Sequence, residues 1–285
     1  MPVRSFEPLS PATDITTTRT FLHEVLPMTG SILSGTYNDD NIKNYVHGMF
    51  QSVYDYPYLS SSANHIFDIT CGYDESTQAL SSSSNVQNAK KINMYNEFAQ
   101  VLLGFTGSNN TVRMFESDLV LDNTGSMDAV YIISFSRLLT KDQVKKNSFK
   151  LTVGTGSHAT PFSGVKVLQD ANARTDGTGI NTALGGDYGV LYSSSSPSTT
   201  DVGCGVVFYQ AGIAVISASV FSNAGGVTQI TDFTSATKVG GGSAKQALTG
   251  TAISGNCDDL RRRIQNITFN NTTEINSNIY FCRVP

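Results

Sequence analysis

The groups in this chain best suited to ligate a metal or move a proton at neutral pH are His23, His47, His65 and His158. A helical zinc pair needs two histidines four residues apart, and none of the four meets that spacing or neighbours a cysteine at ligand distance. His47 lies beside an apolar run and His65 opens a strand-like one, so both are expected to make structural hydrogen bonds. The chain is rich in serine, but it has no Gly-x-Ser-x-Gly elbow to expose a nucleophile. Asp68 and the Asp74-Glu75 pair are the carboxylates from which a glycosidase acid and base would have to come. Trp, the commonest platform for stacking a sugar, is absent from the sequence.

Two glycine-containing stretches imitate ligand loops. Gly240-Gly-Gly-Ser-Ala-Lys245 lacks the order of a phosphate-binding loop and leads into no helical pattern. Asp170-Ala-Asn-Ala-Arg-Thr-Asp-Gly-Thr-Gly179 offers calcium-type oxygens, but Arg174 stands where that pattern needs Asp or Asn, so a turn is expected. Cys71, Cys204, Cys257 and Cys282 form no C-x-x-C pair. They read as buried thiols of a protein made in a reducing cytoplasm, with two disulfides as the alternative. No catalytic set, cofactor site or metal site follows from these residues, and the expectation is a protein that is not an enzyme.

The bulk numbers limit the partners. The net charge is −4 and the pI about 5.5, which gives no overall attraction to nucleic acid. The one basic cluster, Arg261 to Arg263, follows Asp258 and Asp259 and reads as a solvated helix face with local pairing. The most apolar stretch, Phe208 to Val220, is interrupted by Gln210 and Gly212 and is too short to cross a bilayer. No secretory core follows Met1, so a soluble product is expected, with the sequons at Asn266, Asn270 and Asn271 serving as strand and turn residues. Only 15% of residues are charged, and a neutral polar surface suits close packing against neighbours because few ions must lose water.

The pattern along 285 residues predicts an α+β, β-rich fold with a β-sandwich or barrel-like core. Two amphipathic helices are expected in the first third. Ile42, Tyr45, Val46, Met49, Phe50 and Val53 recur at steps of three and four, with Pro57 as the stop. Val86, Ala89, Ile92, Tyr95, Ala99 and Leu102 form the second stripe, ended by Gly104. Strands are expected at His65–Thr70, Val130–Ser136, Phe149–Val153, Val165–Leu168, Tyr188–Tyr192, Val206–Tyr209, Ile213–Phe221 and Val227–Phe233. Thr140-Lys-Asp-Gln143 has the form of a capping box opening a short helix to Ser148, and another helix is expected over Asp258–Gln265.

Residues 1–37, broken by Pro2, Pro8, Pro11 and Pro27, read as an extended N-terminal arm ahead of a single domain over 38–285. A sub-boundary is possible within that domain near 154–161. Ile267–Val284 ends as a strand with no return turn. Both chain ends are therefore expected to lie along other chains or the end of a longer polypeptide.

A resemblance is carried by residues 42–70, Asn88–Asn96, Arg137–Lys146, Gly186–Tyr192, Phe208–Ser217 and Phe269–Glu274. Together they are similar to a family of virion structural proteins of marine contractile-tailed phages, notably those of cyanobacteria. The resemblance spans most of the chain and its motifs are not chemical. It implies a tail-associated, baseplate-region building block, assembled in the host cytoplasm, whose partners are other virion proteins and copies of itself. Neither nucleic acid nor membrane is an expected partner. Members of such a family continue beyond the Asn-Thr-Thr-Glu region with further strands, whereas this chain stops at Cys282-Arg-Val-Pro285. The alternative is a tail protein that binds or acts on a host-surface glycan, with the Ser/Thr/Gly loops from Asp170 to Thr200 facing the sugar. A head decoration protein would share the same assembly physics.

Overall fold

The computed structural model describes residues 17–29, 39–75, 86–106, 111–116, 125–155, 164–173, 179–197, 203–221, 248, 252–261 and 263–278. Their strands form two antiparallel sheets. The larger runs, in spatial order, β2 (Ile42–Asn44), β3 (Gln51–Tyr54), β4 (His65–Tyr73), β5 (Ala129–Phe135), β12 (Ile213–Ser217), β11 (Gly205–Phe208), β10 (Gly186–Leu191) and β9 (Ile180–Ala183). The smaller runs β1 (Thr17–Thr29), β13 (Ile264–Asn278), β7 (Lys150–Thr155) and β8 (Gly164–Gln169), and β6 (Gln143–Val144) also pairs with β13. The described residues also form three α-helices, α1 (Val86–Leu102), α2 (Arg137–Thr140) and α3 (Ile253–Arg261), and two short 3-10 helices at Asp39–Asn41 and Ala218–Phe221.

Alternation along β4 explains the layering. Phe67, Ile69, Cys71 and Tyr73 point to one side and meet Leu151 and Val153 of β7, Phe269 of β13, and Cys257 and Leu260 of α3 in one buried cluster. Phe135 anchors it, with ring centroids 5.1 Å from Phe269 and 5.8 Å from Phe149. On the opposite face, Val130, Ile132, Phe208 and Val215 pack beneath Tyr95, Ala99 and Leu102 of α1. The larger sheet is thus covered by the smaller sheet and α3 on one side and by α1 on the other. Gly72 permits the close approach of α1, because a Cβ there would stand 2.5 Å from the Lys91 carbonyl oxygen. The α+β, β-rich, sandwich-like class is what the strands form, and the two sheets do not close into a barrel.

Several expectations are corrected. The first amphipathic helix, over residues 42–53, is instead a β-hairpin in which Ile42 pairs with Val53 and Asn44 with Gln51. Gly48 turns the chain with φ +64°, and Val46, a member of the supposed apolar stripe, is fully exposed. Pairing of β3 with the nine-residue β4 gives this segment long-range hydrogen bonds and buries Val53, and tertiary pairing overrides the local period. The second helix forms over the expected stripe and ends before Gly104, whose φ is +82°. The capping box at Thr140 opens no helix. Instead α2 ends there, Lys141 adopts φ +54°, and Gln143–Val144 pairs with Thr272 and Asn271 of β13. The last helix sits earlier than expected, over Ile253–Arg261. The expected strand at Val227–Phe233 lies outside the described residues.

The two chain ends also differ from expectation. Thr17 to Thr29 forms a strand despite Pro27, and it pairs residue by residue with Asn278 back to Asn266. Proline is compatible with that place because β1 is an edge strand of its sheet. The strand-like C-terminal segment therefore finds its partner in the N-terminal arm of the same chain. The possible sub-boundary at 154–161 begins within β7, where Gly154 and Thr155 pair with Val165 and Gly164 of β8, and residues 156–161 lie outside the described residues.

Candidate functional site

The polar and aromatic groups that reach the surface together lie on the α1 side of the β2–β3–β4 corner. Lys43 pairs with Ser52, and Ser52 with Asp68, so the three side chains form one row across the strands. Ser52 Oγ donates to Asp68 Oδ1 at 2.5 Å, and His65 Nε2 lies 2.8 Å from the same oxygen. Asp68 and His65 are each about one-third exposed. The Tyr45 hydroxyl lies 3.2 Å from Ser52 Oγ, and its ring stacks on His47 at 5.1 Å with Lys43 Nζ over the ring at 4.9 Å. Tyr54 stands beside His65 at 5.6 Å and Tyr58 at 6.5 Å between ring centroids. Burial, then Tyr45 and then Asp68, raise the Tyr54 hydroxyl above the usual phenol value, so it stays protonated.

This arrangement holds groups in place; it does not activate a nucleophile. In a Ser-His-Asp relay the imidazole stands between hydroxyl and carboxylate, whereas here the carboxylate stands between the other two. The conceivable glycosidase carboxylate pair is not assembled either. Asp74 lies six residues along from Asp68, about 20 Å at the rise of an extended chain, far beyond the spacing across a glycosidic bond.

The other sequence candidates are structural or scattered. Asp170 is buried at the head of the calcium-like stretch and accepts the backbone N–H of Asn147 at 2.7 Å and of Phe149 at 2.9 Å, and the Tyr209 hydroxyl at 3.0 Å. Burial pushes its carboxyl up to about 6, against the pull of these donors. Beside it, Lys146 and Asp187 form an ion pair at 2.7 Å, and Thr182 also donates to Asp187. Arg261 pairs with Asp258 at 2.9 Å as the spacing suggests, but it is buried, and Arg263 is buried on the Gly154 carbonyl, so neither is a solvated helix face. Asn271 is buried and donates to the Leu139 carbonyl.

Cys71, Cys204 and Cys257 are buried, and no disulfide joins them to one another. Cys257 Sγ lies 3.3 Å from the Ile69 carbonyl, and burial, followed by the neighbouring Cys71, pushes its thiol far above the usual range. Lys91 is buried beside these thiols and donates to the Leu248 carbonyl, and burial lowers its pKa. Among the described residues no cluster of three or more His, Cys, Asp or Glu could hold a metal, and no helix is long and apolar enough to cross a membrane. His158, Cys282 and Gly240–Lys245 lie outside the described residues, and His23 is placed by its backbone opposite Thr272. The Ser52–Asp68–His65 grouping was not legible in the sequence, because it depends on the hairpin register that sets Ser52 opposite Asp68.

Comparison with known proteins gives no match to any family, to any curated protein or to any solved structure.

Proposed function

We propose that this chain is a non-enzymatic structural subunit of a tailed-phage virion, in the tail or baseplate region, that joins neighbouring chains by strand addition. The observation that carries the assembly role is the overhang of the β1–β13 ribbon. On its second edge β13 is paired by β7 and β6 only from Ile264 to Thr272. From Thr273 to Asn278 its partner is β1 alone, over Leu22 back to Thr17. Six residue pairs extend about 20 Å as a two-stranded ribbon. Two strands alone are marginal in water, and both edges of this ribbon carry unpaired backbone groups among the described residues. A strand from a neighbouring chain, another copy of this one included, would satisfy them by main-chain hydrogen bonds. The low charge of the chain supports the same reading, since few ions would need desolvating. The virion setting rests on the sequence resemblance.

Sedimentation velocity over a range of concentrations tests the assembly role. The parent chain is expected to associate, and replacing Thr273 and Ile275 by proline, which deletes two backbone donors from the overhang, is expected to leave a folded monomer. Association unchanged by the double proline variant would refute strand addition at this ribbon.

A further inference from the structure

We propose that the exposed corner of β2, β3 and β4 is a carbohydrate subsite, in which Tyr54 and Tyr58 face the sugar ring and Asp68 accepts its hydroxyls. The inference is independent of the assembly role.

Three observations carry it. First, Asp68 is held by one oxygen only. Ser52 and His65 both contact Oδ1, while Oδ2 has no hydrogen-bond partner among the described residues and the side chain is one-third exposed. A carboxylate positioned in this way offers its second oxygen to two adjacent hydroxyls, and it has lost rotational freedom before any ligand arrives. Second, a line of aromatic rings leads from the histidine that holds Oδ1 to the surface. His65 is in edge contact with Tyr54, Tyr54 neighbours Tyr58, and Tyr58 is 37% exposed. Third, the hairpin beside them is held in place: the Tyr45 hydroxyl lies 3.2 Å from Ser52 Oγ, and Thr70 Oγ1 donates to the Met49 carbonyl at 2.6 Å.

The chemistry selects among ligands. A sugar presents an apolar C–H face for the tyrosines together with paired O–H donors for the carboxylate, and this combination fits a subsite that is partly apolar with a few placed polar groups. Nucleic acid would bring phosphates against Asp68 and a chain of net charge −4. A protein surface closing over the corner would strip water from Asp68 and would need a donor aligned on Oδ2. In the loops from Asp170 onward, the alternative place for glycan contact, the described carboxylates of Asp170 and Asp187 are spent internally on Tyr209 and Lys146.

The test is saturation-transfer NMR on the full chain with glucose, galactose, N-acetylglucosamine and their short β-linked oligomers. At least one is expected to receive saturation, with shift changes at Tyr54, Tyr58 and His65. Asp68→Asn and Tyr58→Ala are each expected to weaken binding at least about tenfold, equivalent to about 1.4 kcal/mol. Tyr58 is 37% exposed and outside the buried core, so Tyr58→Ala is expected to keep the fold and decides the matter alone if the Asp68 variant does not fold. No transfer to any of these sugars, unchanged affinity in both variants that fold, or broadening of the same resonances with protein concentration alone would each overturn the proposal.

Discussion

The Tyr209 hydroxyl donates to Asp170 Oδ2 at 3.0 Å in the interior, joining the residue after β11 to the residue after β8. The same carboxylate receives Asn147 and Phe149, so one side chain fixes the turn that leads into β7. Three donors would suit an ionised group, yet burial outweighs them, and the carboxyl is pushed up to about 6 from an ordinary 3.8.

A pH dependence follows, and its sign is set by where the proton is held more tightly. The folded chain keeps the Asp170 proton up to about pH 6, whereas the unfolded chain gives it up near 3.8. Between those values the native state binds more protons, so this group costs stability as pH rises, to about 3 kcal/mol at neutrality. Urea unfolding at pH 4.5 and 7 should show Asp170→Asn lacking this slope. The variant should also be less stable than the parent at pH 4.5, by about 1–3 kcal/mol, because an amide NH2 then faces donors. Identical pH slopes for parent and variant would contradict the account. Asp187 works in the opposite sense: against the upward push of burial, Lys146 and Thr182 hold its carboxyl below the usual range, so its contribution is lost as pH falls, but it is partly exposed and the pair is worth little.

The hairpin and the helix make different predictions for residues 42–53. With Val53 buried opposite Ile42 and Val46 fully exposed, Val53→Ala should cost about 2 kcal/mol and Val46→Ala less than about 0.5 kcal/mol in chemical denaturation. Equal costs at the two positions would restore a continuous apolar stripe.

How much was legible depends on where the deciding contact lies. The stripe from Val86 to Leu102 and the stop at Gly104 are local signals, and α1 forms there. Strands such as β5 and β12, rich in Val, Ile and Phe, announce themselves by composition. The 42–53 segment misled because its apolar residues fit a helical period by chance, while its true partner, β4, begins eleven residues beyond Tyr54. Pairing of the two chain ends, from Thr17 to Asn278, leaves no mark in either segment alone. For the site, His65 and Asp68 stood out singly, but Ser52 joins them only through the register.

Gly72 should tolerate no side chain. Gly72→Ala would place a Cβ 2.5 Å from the Lys91 carbonyl oxygen and 2.8 Å from the Tyr95 nitrogen, both backbone atoms of α1. The helix must shift, and a loss of about 1–3 kcal/mol in thermal or urea unfolding is expected. A neutral result would mean that α1 does not rest on β4 at this point.

The three buried thiols should be silent in the native state. In a Cys282→Ser variant, Cys71, Cys204 and Cys257 should react with a thiol reagent at neutral pH only after denaturant is added, because burial hides them and keeps Cys257 protonated. Rapid labelling of Cys257 without denaturant would place α3 away from the core.

The overhanging ribbon is tested most directly by amide hydrogen exchange of residues 17–22 and 273–278 in dilute and in associated protein. The account predicts fast exchange in both segments when the chain is monomeric and strong protection once it associates, with β4 and β5 protected throughout. Equal protection of the ribbon in the dilute monomer, or fast exchange that persists in the assembly, would contradict strand addition there.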